Sequence, residues 1–190
     1  ITMVVGPPLT VSVSIAASAT TICSGTGVTF TATPTNGGTP TYQWKVNGSN
    51  VGSNSSTFTS STLANGDAVT CVLTSSLTCA TGSPATSNTI TMTVNPVLPV
   101  GVSIGANPGT TVCAGSSVTF TATPVNGGSS PAYQWKKNGT VLTGETNATY
   151  TTSSLVTGDV ITCVLTSNIP CPTGNPATSR RPSAESGCST

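Results

Sequence analysis

The side chains best able to do chemistry are seven cysteines, in a 190-residue chain with no histidine, five Lys or Arg and four Asp or Glu. Six of them form two sets of three, Cys23, Cys71, Cys79 and then Cys113, Cys163, Cys171, and Cys188 stands near the C-terminus. Cysteines at repeated positions read as a disulfide framework in an oxidising, extracellular setting. In the sandwich argued below, Cys23 starts the second strand and Cys71 has core-facing parity on the sixth. That layout favours Cys23–Cys71 and Cys113–Cys163. The rival is Cys23–Cys79 with Cys71 as a buried thiol, although a simple strand layout sets Cys79 at the opposite end from Cys23, beyond bonding distance. Cys79, Cys171 and Cys188 then remain, either to cross-link modules or neighbouring subunits or as free thiols.

Other reactive constellations are missing. Without histidine, neither a Ser-His nor a Cys-His nucleophile can be assembled. Asp67 and Asp159 stand at matching Gly-Asp corners, where a carboxylate caps a turn by accepting backbone N–H bonds. Glu145 and Glu185 fall in loop and tail and form no acid–base pair. Calcium needs several oxygen ligands, and no acidic cluster supplies them. Lys45, Lys136 and Lys137 flank Asn-Gly turns and read as solvated. No glycine-rich loop opens a helix, so no phosphate cradle is indicated. The expectation is a protein that is not an enzyme and uses no cofactor or metal. A net charge of +1 gives no electrostatic support for nucleic acid or an anionic membrane surface. No apolar run approaches the ~18 to 20 residues that would insert through a bilayer as a helix. Asn-x-Ser/Thr triplets at Asn47, Asn54, Asn138 and Asn147 are glycan acceptors where the machinery exists. The simpler reading is that Asn-Gly turns in a Thr/Ser-rich chain generate such triplets by chance. Arg180-Arg181 is the one basic doublet outside the strands, a processing site or a solvated tail.

The elements that position these residues come from an internal repeat. Cys23 to Gly38 reads C-S-G-T-G-V-T-F-T-A-T-P-T-N-G-G, and Cys113 to Gly128 reads C-A-G-S-S-V-T-F-T-A-T-P-V-N-G-G, an offset of 90. The offset becomes 91 at Tyr42-Gln43-Trp44 against Tyr133-Gln134-Trp135, and 92 at Cys79 against Cys171. Small insertions between conserved runs mean that loops vary on a constant scaffold. Within the first repeat, alternation of apolar and polar residues predicts strands at 10–17, 28–33, 41–46, around Val51, 57–60, 68–74 and 90–95. Asn47-Gly48 is a hairpin turn, because both residues tolerate positive φ. Many short strands, a Trp on the third and frequent turns predict an immunoglobulin-like sandwich. The fold class is all-β, two tandem modules, with the second lacking its own last strand. The boundaries are an N-terminal strand at 1–8, repeat 1 at 9–97, repeat 2 at 98–179 and a divergent tail at 180–190.

V-T-F-T-A, Y-Q-W, N-G-D and P-A-T-S-N-T-I-T-M-T-V-N-P resemble the Ig-like, PKD-like repeats of large bacterial surface proteins. Such repeats are typical of adhesins exported by type IX secretion in gliding bacteria. The resemblance implies an extracellular or cell-surface structural protein, a subunit or segment of a filament or adhesin. Such repeats also serve as spacers beside catalytic domains and as glycan- or ligand-binding accessory modules, and a fold by itself names no activity. For ligand binding, exposed aromatics are expected. Trp44, Trp135, Tyr42 and Tyr133 hold core-like positions, which leaves Tyr150 as the spare.

The Ile90-Thr91-Met92-Thr93-Val94-Asn95 cassette puts Ile90, Met92 and Val94 on one face. It recurs as Ile1-Thr2-Met3-Val4-Val5-Gly6, so the chain opens inside a strand pattern and reads as a processed or truncated product. A third copy is expected near residue 182, but the sequence there is Ser179-Arg180-Arg181-Pro182-Ser183-Ala184, no apolar core strand. Ile1, Met3 and Val5 therefore qualify as a donor strand for repeat 2 of a second copy, giving a head-to-tail filament. Three buried side chains at roughly 1.5–3 kcal/mol each and about five backbone bonds at about 0.5–1.5 kcal/mol each are ample to hold such a joint. Equally, Ile1 to Val5 is the last strand of a preceding repeat in a longer covalent array. The partners are thus copies of the chain itself or neighbouring repeats, with surface glycans as a further candidate.

Overall fold

The computed structural model describes Thr2, Met3 and residues 6–179, and it divides the chain into two compact units, Ile1–Pro96 and Val97–Thr190. The first unit holds twelve strands: β1 (Leu9–Thr10), β2 (Ser12–Ala17), β3 (Thr21–Cys23), β4 (Val28–Thr35), β5 (Thr41–Val46), β6 (Ser49–Val51), β7 (Thr57–Ser60), β8 (Ala68–Thr74), β9 (Ala80–Thr81), β10 (Ala85–Thr86), β11 (Ile90–Thr91) and β12 (Thr93–Asn95). One sheet runs β2-β4-β7, and the other runs β6-β5-β8 with β10 and β11 both pairing β8. Alternation drives the layering: Val28, Phe30 and Ala32 of β4 face inward, as do Val69, Cys71 and Leu73 of β8. Between the sheets Phe30, Trp44 and Phe58 pack as an aromatic triad, with centroids 5.8–6.3 Å apart. The turn from β5 to β6 has positive φ at Asn47 (50°) and Gly48 (81°), the pair of angles a two-residue type I′ hairpin requires.

Two strands differ from the periodic reading. The first is divided at the buried Val11: β1 runs parallel to β9, and β2 turns antiparallel to β4 in the opposite sheet. The last, expected at 90–95, is divided into β11 and β12 and is preceded by a short β10, and β12 leaves β8 to run parallel to β3. Each division sends one segment into a separate two-stranded parallel pairing, β1 with β9 and β12 with β3.

The second unit repeats the plan with β13 (Leu98–Pro99), β14 (Gly101–Asn107), β15 (Val118–Val125), β16 (Ala132–Lys137), β17 (Thr140–Val141), β18 (Thr149–Thr152), β19 (Ile161–Thr166), β20 (Pro172–Thr173) and β21 (Ala177–Thr178). Its sheets are β14-β15-β18 and β17-β16-β19-β21, with β13 parallel to β20. Phe120, Trp135 and Tyr150 form its triad, at 5.9–6.2 Å. Both units are immunoglobulin-like β-sandwiches, and the chain is all-β. β21 pairs antiparallel with β19, Leu165 opposite Ala177, and matches β10 of the first module, because P-A-T-S is common to both repeats. The place of the cassette, near residue 182, lies outside the described residues.

Candidate functional site

The closing strand of the first module is the segment whose bonding is most distinctive. Met92 is 1% exposed, and its N–H and C=O bond to Asp67 O and Gly66 N–H, both at 2.9 Å. Thr93 N donates to Thr20 O at 2.8 Å, and Val94 N to Asn65 Oδ1 at 3.0 Å. Ile90 and Val94 pack on the same core, so the expected face is the one that is buried. Just before the cassette, Asn88 acts as a one-residue strand: its Oδ1 accepts from Ile15 N at 2.8 Å and its Nδ2 donates to Ile15 O at 3.1 Å. Ser87 Oγ accepts from Cys71 N at 2.9 Å, as Ser179 Oγ does from Cys163 N at 3.0 Å. Sequence reasoning passed over Ser87 and Asn88. The signal was the P-A-T-S-N run, shared up to the serine and lost at Arg180.

The matched positions of the second module are more open. Val11, Val13, Ile15, Ile22 and Leu63 are buried, whereas Val100, Val102, Ile104, Val112 and Leu155 are half-exposed. At the N-terminus Met3 is 83% exposed and in no strand, and Ile1 and Val5, the other two members of the expected donor face, lie outside the described residues.

The cysteines correct the expected pairing. Cys71 and Cys163 are buried thiols, so neither Cys23–Cys71 nor Cys113–Cys163 forms. Cys23 does not begin strand β4. It ends β3, and the Gly25–Gly27 turn, closed by Thr26 N donating to Cys23 O at 3.0 Å, separates the two. Cys71 sits mid-strand opposite Trp44, deep between the sheets. Burial raises the pKa of both Cys71 and Cys163, which keeps the thiols neutral and unreactive. Cys23 and Cys171 are disulfide-bonded, and Cys79 is an exposed thiol. Cys113 is exposed too, after β14 and before the turn into β15, and Cys188 lies outside the described residues.

The Asp corners cap turns as their chemistry requires. Asp67 Oδ2 accepts from Ala64 N at 2.8 Å and Asp159 Oδ2 from Val156 N at 2.9 Å. Their Oδ1 atoms accept from Asn47 and Asn138 Nδ2 at 2.7 and 2.8 Å. The Nδ2 that would carry a glycan at Asn47 and Asn138 is therefore already holding a turn. Asn54 uses its Oδ1 to accept from Tyr42 N at 2.8 Å, and Asn147 is exposed.

Lys137 is not solvated as expected. Its Nζ lies 2.6 Å from Asp159 Oδ2 and donates to Ser154 O at 3.1 Å. That ammonium bond, with the Val156 N–H second, holds the Asp159 carboxyl down at about 2. In the first module Val46 takes the place of Lys137 and lines a shallow groove of about 460 Å³ with Phe58, Leu63 and Asp67. Tyr150 is no spare aromatic either. It is 8% exposed, and its ring occupies the place of Phe58 in the triad. Among the described residues no group of His, Cys, Asp or Glu could hold a metal ion, and no helix is long and apolar enough to cross a membrane.

No family model matches the sequence, and no curated protein does. Among solved structures, the three N-terminal domains of the bacteriophage RB49 highly immunogenic outer capsid protein align over 82% of this chain and 54% of theirs, at 18% identity and a TM-score of 0.40. This chain thus spans about half of that one's length. Murine CEACAM1b aligns over 91% of this chain and 98% of its own, at 13% identity and a TM-score of 0.40. The ligand-binding domain of human OSCAR aligns over 90% and 95%, at 17% identity and a TM-score of 0.34.

Proposed function

We propose that the chain is a structural segment of an extracellular array of Ig-like modules, a bacterial surface filament or adhesin stalk that works by mechanical display. The observation that carries this reading is Met92. The cassette that ends the first module buries Met92 to 1% exposure, while Met3, at the matching place of the cassette-like sequence 1–5, is 83% exposed. In the second module Val102, Ile104, Val112 and Leu155 are only partly buried beside a buried centre of Val118, Phe120 and Trp135. Donor-strand complementation joins the cassette to this module: Ile1, Met3 and Val5 enter the second module of a neighbouring copy, as Ile90, Met92 and Val94 enter the first. Such a contact is heterologous and propagates instead of closing. A disulfide at Cys23 and at Cys171 fits the oxidising surroundings of such a surface.

Electron microscopy of the intact chain and of one lacking residues 1–8 tests this. Fibres from the first and monomers from the second establish the cassette as the joint. Monomers from both, with a second module that melts early, place the chain inside a longer covalent array in which residues 1–5 close the preceding module. The groove at Val46, Phe58 and Asp67 favours a second reading, a glycan-binding or spacer module of a larger secreted protein. Its measure is a glycan titration followed by NMR at Thr59–Leu63. Unmoved resonances dispose of it.

A further inference from the structure

Val46 and Lys137 hold one position in the two modules. Val46 lies opposite Val69 in the β5–β8 pair, and Lys137 lies opposite Ile161 in the β16–β19 pair. The corner beside each is also matched: Ser60-Ser61-Thr62-Leu63-Ala64-Asn65-Gly66-Asp67 in the first module, Thr152-Ser153-Ser154-Leu155-Val156-Thr157-Gly158-Asp159 in the second. Thr62 N donates to Ser60 Oγ at 3.3 Å, as Ser154 N does to Thr152 Oγ1 at 3.2 Å. Ala64 N donates to Asp67 Oδ2 as Val156 N does to Asp159 Oδ2. The same two acceptors, a carboxylate oxygen and a carbonyl, are therefore built twice.

In the second module both are taken. Lys137 Nζ lies 2.6 Å from Asp159 Oδ2 and donates to Ser154 O at 3.1 Å, and the Asp159 side chain is 6% exposed. In the first module Val46 is too short to reach them, and among the described residues no cation pairs with Asp67. Alternation puts Lys45, its neighbour on β5, on the other face of the strand. What remains is the groove of about 460 Å³, with Val46, Val51, Phe58 and Leu63 as apolar lining and Thr62 and Asp67 at its polar edge. Phe58 is half-buried there, whereas its counterpart Tyr150 is buried. An apolar wall that ends in a carboxylate and a carbonyl matches an alkyl stem that ends in an ammonium.

We infer that this groove is a docking site for a lysine side chain of another polypeptide, held on Asp67 Oδ2 and Thr62 O as Lys137 is held on Asp159 Oδ2 and Ser154 O. The second module carries the ligand in its own strand, and the first takes it from a partner. The inference needs neither the cassette nor the cysteines, so it stands or falls apart from the array reading. Its ligand is a cation where the second reading above has a glycan, and separate titrations tell the two apart.

The test is NMR of the full chain, titrated at constant ionic strength with Nα-acetyl-lysine methylamide to about 100 mM. A Kd on the order of 10 mM is what one half-exposed ion pair and a short apolar stem supply. Resonances of residues 58–67 are expected to shift saturably, while those of residues 150–159 stay still. The Nε-acetylated analogue has the same stem without the charge and is expected to bind at least about 10-fold more weakly. Val46→Lys, which copies the second module, is expected to fill the groove and abolish the shifts. Lys137→Val is expected to open a second site, read as new shifts at residues 152–159. Slow labelling of Cys71 reports that the first module of a variant is folded. Should Val46→Lys not fold, Asp67→Asn keeps an oxygen for the turn and is expected to weaken binding at least about 10-fold. Resonances of residues 58–67 that stay still, or that move equally for the neutral analogue, overturn the inference. So does a folded Val46→Lys chain that still responds.

Discussion

The two modules share the same alternating strands and aromatic triad, yet they differ in what closes them. The first is sealed by its own cassette and buries Val11, Val13, Ile15, Ile22 and Leu63 beneath it. The second has the matched residues Val100, Val102, Ile104, Val112 and Leu155 only partly buried, and β21, the match of β10, is the last strand among its described residues. The difference teaches that the triad between the sheets does not need the cassette. The triad centroids agree within 0.1 Å in all three pairs, 6.3, 6.0 and 5.8 Å against 6.2, 6.1 and 5.9 Å. What the cassette governs is the layer beside the triad. A scaffold of this kind can exchange its last strand without losing its centre.

The buried thiols sharpen the comparison most. Cys71 and Cys163 are expected to label with maleimide on the order of 1,000 times more slowly than Cys79, since they react only when the module opens. Cys163 is expected to label faster than Cys71, and the ratio, read by mass spectrometry over time, measures how much less stable the second module is. Equal rates would break the comparison. Next in size, Met92→Ala is expected to destabilise the first module by about 2–5 kcal/mol, through lost burial and the cavity left behind. Chemical denaturation gives the number, and Cys71 labelling is expected to speed up towards that of Cys163.

A smaller effect separates the modules by pH. The Asp159 carboxyl is held at about 2, below its ordinary 3.8, so its bond to Lys137 contributes in full above about pH 4 and is lost as pH falls through about 2. Melting followed across pH 5 to about 2 is expected to show the second module losing stability through this bond. Lys137→Val, which copies Val46 of the first module, is expected to flatten that dependence. An unchanged profile would show that the ion pair contributes nothing in solution. Smallest is Tyr150→Phe, which makes the second triad identical to the first and is expected to change stability by no more than about 0.5 kcal/mol.

Strands β4, β5, β7 and β8 were legible because each alternates strictly and ends at turn residues. β3, β9 and β10 were not, since strands of two or three residues exist only through their partners and carry no period of their own. The Cys23 pairing failed for the same reason. Placing Cys23 at the start of the second strand treats Gly25-Thr26-Gly27 as strand, although two glycines in three residues are a turn signal. Lys137 was read as solvated because its partner, Asp159, is distant in sequence and meets it only once β16 and β19 are paired. The cassette face was legible from alternation, but the two side-chain bonds of Asn88 to Ile15 were not, since they depend on a strand 73 residues away.

The parallel pairing at both ends of the first module has a mechanical consequence. The chain comes in along β1, beside β9, and goes out along β12, beside β3. A pull on Leu9 and Asn95 runs along these strands, so the bonds from Leu9 N to Cys79 O, Val11 N to Thr81 O, Thr93 N to Thr20 O and Ser24 N to Asn95 O lie across the line of force. They must yield together in shear, where a hairpin pulled from one end would unzip bond by bond. Tension therefore meets the module at these two parallel pairings, and the triad within stays unloaded until they have failed.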